Sequence, residues 1–240
     1  MNSFDKNVEM NLKMLKNDLI LFAGITAILV LMSLMGTLFI LLVPFGFLIL
    51  ISVILYHAYY ILFYKTTFGD GAVLYNSFPV TVTENIWSKV FAAVFFQIAV
   101  GMISFIGIGI IMKFGVWYGM INEFLDRLEI IINDMGTPAL LLVIADLWIL
   151  TFMQPVIIYY FMIRFHKSRK HSGPDFRMIV CILIYVAINA VTSNMPANVS
   201  GKNALLIISV MDLAEILIMI IFYRLILKFY NKDFELSQAV

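Results

Sequence analysis

The chain has 240 residues, 62% of them hydrophobic and 13% charged, with a formal net charge of +1. A soluble domain is nearer half apolar and a quarter charged, and at this size it still exposes much of its surface, so a water-soluble fold is excluded. The balanced charge also removes the positive field that would recruit nucleic acid, and a single cysteine, Cys181, leaves no internal disulfide to form.

With lipid as the solvent, every backbone polar group needs an internal partner, which leaves helices or a closed barrel. Barrel strands alternate polar and apolar residues, whereas Leu140, Leu141, Leu142, Val143 and Ile144 follow one another without a polar break. The expected class is therefore an all-α membrane protein.

In chain order, residues 1–18 carry charges of both signs, which does not match a cleavable signal peptide. Phe4, Val8, Leu12, Leu15 and Leu19 recur at helical spacing, with Lys6, Lys13 and Lys16 on other faces. That pattern predicts an amphipathic helix lying in the membrane interface. From Leu19 to Tyr64 no formal charge occurs and the only histidine is His57, enough for two spans of about 20 residues. Pro44-Phe45-Gly46 reads as the turn between them, giving spans at 19–40 and 44–64. Further spans are expected at 86–112, 138–165, 176–194 and 203–230, followed by a tail at 233–240. The segment from Trp117 to Met135 mixes apolar and acidic residues and reads as a helix on the outer surface. The expected organisation is thus an interfacial helix at 1–18, a six-helix transmembrane domain at 19–232, and a C-terminal cytoplasmic tail.

Lysine and arginine concentrate on the cytoplasmic side of membrane proteins. With the N-terminus inside, thirteen of the 16 basic residues fall in inner segments, and only Lys113, Arg127 and Lys202 fall outside. Both termini are accordingly expected in the cytoplasm.

The connector between the second and third expected spans runs from Tyr64 to Lys89 and includes Phe68-Gly69-Asp70-Gly71 and Asn76-Ser77-Phe78-Pro79-Val80-Thr81. Loops of that length are usually functional. Pro79 stops any helix before it. Thr81 and Glu84 have capping-box spacing, so Thr81 is expected to start the next helix. A short helix pinned between two spans would suit transmission of motion to a cytoplasmic partner.

This stretch resembles the connector of ABC-2 type transporter permeases of Gram-positive bacteria, whose run has the form F-G-x-E-G-Y-L-T-F-T-L-P-V-S-R. The match holds at Phe68, Gly69, Leu74, Pro79, Val80 and Lys89, with Thr81 in place of the serine and Ser88 as the small residue before the lysine. It departs at Gly71, Ala72, Val82 and Asn85. The resemblance implies a permease in the cell membrane whose cytoplasmic coupling helix docks on a separate ATPase. Phe68, Leu74, Tyr75, Phe78 and Pro79 would form that contact. It also implies a second permease subunit, identical or related. The chain has no G-x-x-x-x-G-K-[ST] phosphate loop, so ATP and magnesium would be used by the partner and no cofactor is expected on this chain.

Asp146, Asp212 and Glu215 fall inside expected spans, where ionisable groups are costly and often functional. The fourth and sixth spans should run in the same direction, placing the three acids at one depth. They could line a translocation path, bind a cation or cationic peptide, or relay protons. Equally, they could hold helices together through hydrogen bonds to Gln97, Gln154, Asn189 or tyrosines. His57, beside Tyr56, Tyr59 and Tyr60, reads as a satisfied interfacial residue, and Gly115 and Gly119 as a close helix contact. The scattered histidines give no metal motif, and no nucleophile–base set suggests an enzyme. Two other functions fit the same pattern: an ion-coupled transporter built on the acids, or a membrane sensor that transports nothing.

Overall fold

The computed structural model describes residues 3–35, 37–69, 81–114, 141–142, 144–166 and 201–230. The described residues are helical apart from short ends, with no strand among them. Helix α1 is Ser3–Met35. Helix α2 is Thr37–Tyr59, continuing through a π-helical turn at Tyr60–Lys65 into a last turn at Thr66–Phe68. Helix α3 is Val82–Phe114, α4 is Ile144–His166, and α5 is Gly201–Phe229.

Among the described residues, four segments are long and apolar enough to cross a membrane: Ser3–Ser33, Gly46–Phe68, Val82–Ile111 and Ile144–His166. Their outward faces are apolar, with Ile20, Ile28, Leu31, Val53 and Met102 exposed and Phe105 81% exposed. Such contiguous exposure is untenable in water and ordinary against lipid tails. The protein is a membrane protein.

The chain divides into two compact units. In the first, α1, α2 and α3 run up, down and up. Val30 on α1, Phe47 on α2 and Ile111 on α3 close a hydrophobic cluster near one end. Farther along, the His57 Nδ1 of α2 meets Asp18 Oδ2 of α1 at 3.0 Å. At the opposite end, the Asn11 Nδ2 of α1 donates to Ser88 Oγ of α3 at 3.4 Å.

Helix α1 packs chiefly along α3, through a buried seam of Asn7, Asn11, Leu15, Phe22, Thr26, Val30 and Ser33. That 3–4 spacing is one helix face. Its upper part is largely apolar, whereas its first two members are amides, and Asn11 meets Ser88 of α3, also buried. Phe4 adds an edge-on contact with Phe91, centroids 5.8 Å apart.

Gly107 sets the approach of these helices. A β-carbon there would lie 2.9 Å from Thr26 Cγ2 and 3.3 Å from Phe47 Cζ. Threonine is branched at Cβ and stiff, so it cannot move aside.

In the second unit, α4 and α5 run parallel. Asp146 meets Asp212 and Glu215 at one level, Tyr160 packs edge-on against Phe222 at 5.2 Å, and the Tyr159 and Tyr230 hydroxyls share a hydrogen bond. Met153, Val156, Ile157, Ile163 and Ile226 are buried beside them.

One expectation needs correction. The turn read at Pro44-Phe45-Gly46 is absent: all three residues lie inside α2, Thr37–Tyr59. Apolar helices tolerate an internal proline when neighbours re-satisfy the backbone. The first two candidate spans are Ser3–Ser33 and Gly46–Phe68, where 19–40 and 44–64 were expected.

Residues 3–18, expected in the interface, lie in the same helix as the start of the first expected span, because α1 is continuous over Ser3–Met35. The 31-residue candidate segment Ser3–Ser33 is about 46 Å long, against a hydrocarbon core of about 30 Å. The Asn11–Ser88 bond ties its N-terminal part to α3.

The span expected at 203–230 is helical as α5, Gly201–Phe229, with Asp212 and Glu215 inside its apolar run and Arg224 and Lys228 near its end. The expected span at 176–194, the surface helix from Trp117 to Met135, the tail at 233–240, and Gly115 and Gly119 lie outside the described residues.

Candidate functional site

Two places gather the residues singled out by the sequence. The first is the base of the connector. Near the end of α2, Tyr59 stacks on Phe63 at 5.7 Å and Tyr60 on Tyr64 at 5.2 Å, an i, i+4 aromatic ladder. Over this ladder the helix widens into its π turn, with the Thr66 amide reaching the Ile61 carbonyl. Such turns are rare and frequent at functional sites. Thr66 Oγ1 also donates to the Leu62 carbonyl, tying down the last turn.

On the far side of the connector the capping box forms as its spacing predicted. The Glu84 amide donates to Thr81 Oγ1 at 3.2 Å, and the Thr81 amide donates to Glu84 Oε2 at 2.9 Å. Two otherwise orphaned donors of α3 are satisfied reciprocally. Thr81→Ala is expected to cost about 1 kcal/mol and to raise hydrogen exchange at residues 82–84, with Glu84→Gln milder. Unchanged exchange there would show that the box does not hold the helix start.

Lys89 joins the two sides. It is 2% exposed, and its Nζ donates to Thr67 Oγ1, also buried, at 3.1 Å. Thr67 precedes the connector and Lys89 lies two turns into α3, so this bond closes the loop at its root. Ser88, fully buried, donates to the Asn85 carbonyl at 2.9 Å while accepting from Asn11. The small residue and lysine of the motif are thus both internal packing residues.

The expected coupling residues are only partly within the described chain. Phe68 is half-buried, stacked face to face on His166 with centroids 3.9 Å apart and edge-on to Phe229 at 5.8 Å. It is packed inside the second unit of the protein. Leu74, Tyr75, Phe78 and Pro79 lie outside the described residues.

The second place is the acid cluster. Asp146 on α4 and Asp212 and Glu215 on α5 bring carboxylate oxygens within 4.8 Å of one another. The equal depth expected from sequence is here a direct juxtaposition. Parallel helices produce it: Asp212 and Glu215 are three apart and share a face of α5, and that face meets α4 at Asp146. Glu215 is 2% exposed and Asp212 8%. Asp146 and Asp212 are within hydrogen-bonding reach of each other. Asp212 Oδ1 and both oxygens of Glu215 have no hydrogen-bond partner.

Of the partners considered for these acids, Gln97 instead donates to the Tyr59 hydroxyl inside the first unit. Asn189 lies outside the described residues. His57 has the partner its sequence context hid, Asp18. Reading charges as span flanks assigned Asp18 to the N-terminal segment, so a pairing with a histidine on α2 went unseen. The amide seam did leave a trace, in the four-residue spacing of Asn7 and Asn11.

Compared with protein-family models, characterised proteins and solved structures, the chain matches none.

Proposed function

We propose that this chain is the membrane-spanning permease subunit of an ABC-2 type transporter, exporting its substrate with energy from a separate ATPase subunit. One observation carries the reading: the segment from Phe68 to Lys89, which resembles the family's connector, is closed at its root by the Lys89–Thr67 bond and followed by a formed Thr81–Glu84 capping box. A connector held at both ends can pass a push from a docked partner to α2 and α3, where a floppy loop would absorb it.

On this reading the protein has six spans with both termini in the cytoplasm of a bacterial cell, and works with a second permease subunit. The up–down–up course of α1 to α3 supports that arrangement, and parallel α4 and α5 are what one further crossing between them would give. The coupling surface is then Leu74, Tyr75, Phe78 and Pro79, with Phe68 acting as the internal anchor that carries displacement to His166 and Phe229. ATP and magnesium are handled by the partner.

The test is purification of the full chain from its native membranes. A Walker-motif ATPase is expected to come with it, and to be lost when Leu74, Tyr75 and Phe78 are replaced by alanine. A second reading is favoured by the acid cluster: an ion-coupled transporter using Asp146, Asp212 and Glu215. It predicts flux driven by an ion gradient without ATP, abolished by Asp212→Asn.

A further inference from the structure

The acid cluster poses a charge problem that no basic side chain described on α4 or α5 solves. Three carboxyl groups crowd within 4.8 Å, and two of them are nearly inaccessible to water. On α4 the first basic residue is Arg164, at the other end of the helix. On α5 the next is Arg224, nine residues past Glu215, or about 13 Å along the axis. A buried charge without a partner is costly enough that proteins pair it, coordinate it or neutralise it.

A hydrogen bond between Asp146 and Asp212 would settle one pair. It does nothing for Glu215, whose two oxygens stay unpartnered although the side chain is 2% exposed. One carboxylate oxygen from each of the three acids lies within 4.8 Å of the others. A side chain so buried, unpartnered and turned toward two other carboxylates is a ligand set as much as a packing element.

The donor set narrows the occupant. Carboxylate oxygens select hard cations, and neither imidazole nor thiolate joins the cluster among the described residues. An ion that takes oxygens at 2.3–2.6 Å can hold ligands up to about 5 Å apart across itself, whereas magnesium, at 2.0–2.1 Å, reaches only about 4 Å. A spread of up to 4.8 Å suits the larger ion, and calcium also tolerates irregular geometry with water completing its shell.

We propose that Asp146, Asp212 and Glu215 form a binding site for one hard divalent cation of calcium size, clamped between α4 and α5. The ion would lock the parallel pair at this level and offset two of the three negative charges. The proposal concerns equilibrium occupancy, so it stands apart from both the ATPase and the flux readings.

The experiment uses the full chain in detergent, stripped with a chelator and titrated with terbium, a calcium-sized luminescent probe. Trp148 lies two residues from Asp146 and serves as the sensitiser. Saturable emission at one ion per chain is expected, displaced by calcium at least ten times more effectively than by magnesium. Glu215→Gln and Asp212→Asn should each weaken binding at least tenfold, while Asp5→Asn, on exposed α1 surface, should not. Calcium should also raise the unfolding temperature of the wild type and not of Glu215→Gln. Absence of saturable binding by the wild type at millimolar calcium overturns the proposal, whatever the variants do. So does binding that Glu215→Gln leaves intact.

Discussion

Lys89→Ala is expected to destabilise the protein by about 2–5 kcal/mol, the range for truncating a long buried side chain. The residue is 2% exposed and tied to Thr67, so truncation leaves a cavity at the root of the connector and removes a charge-assisted bond. Lys89→Met separates the two contributions. Methionine restores most of the volume without the cost of burying an ammonium group, so it should recover most of the stability. Thermal unfolding in detergent distinguishes the three proteins. Alanine and wild type unfolding together would mean that Lys89 is not the closure described above.

The second large effect concerns Gly107. Leucine there must displace Thr26 and Phe47 and is expected to cost about 3 kcal/mol. Alanine should cost less, because a clash at 2.9 Å is partly offset by about 1 kcal/mol of gained helix propensity. The informative comparison is with Gly101 and Gly109 on the same helix, where an added β-carbon meets nothing within 4 Å. Alanine at those two positions is expected to be neutral or stabilising by up to about 1 kcal/mol. A ranking in which Gly107→Ala is no worse than Gly101→Ala contradicts the close approach of α1, α2 and α3.

These two residues also show what was legible in the sequence. The class was, because unbroken apolar runs leave lipid-embedded helices as the only economical answer. The capping box was, because Thr81 and Glu84 act within one turn and their spacing alone determines the bonds. A common depth for Asp146, Asp212 and Glu215 was expected from counting spans, but their meeting comes from the packing of α4 against α5.

What hydropathy could not settle was the boundary between the first two helices. Pro44 reads as a break in an apolar run yet lies inside α2, and the placement of that helix depends on which register lets Val30, Phe47 and Ile111 pack together. Nor could it show that the N-terminal segment is collinear with α1, where Asn11 meets Ser88 of a distant helix. Gly107 was invisible for the same reason. Glycines are frequent in membrane helices, and only the crossing geometry tells a contact glycine such as Gly107 from the open Gly101 and Gly109.

Phe68 illustrates how a motif residue can be found without its packing. The resemblance marked it as part of a docking surface, and the structure shows it stacked on His166.

The most direct test of the central proposal is to purify tagged wild-type chain and the Leu74→Ala/Tyr75→Ala/Phe78→Ala variant from native membranes and quantify co-purifying Walker-motif ATPase by mass spectrometry. The wild type is expected to retain the ATPase. The variant should retain at least about thirty times less, the loss of one contact of about 2 kcal/mol, while keeping the wild-type unfolding temperature. Wild-type protein that carries no ATPase, or a variant that carries as much, would contradict the account.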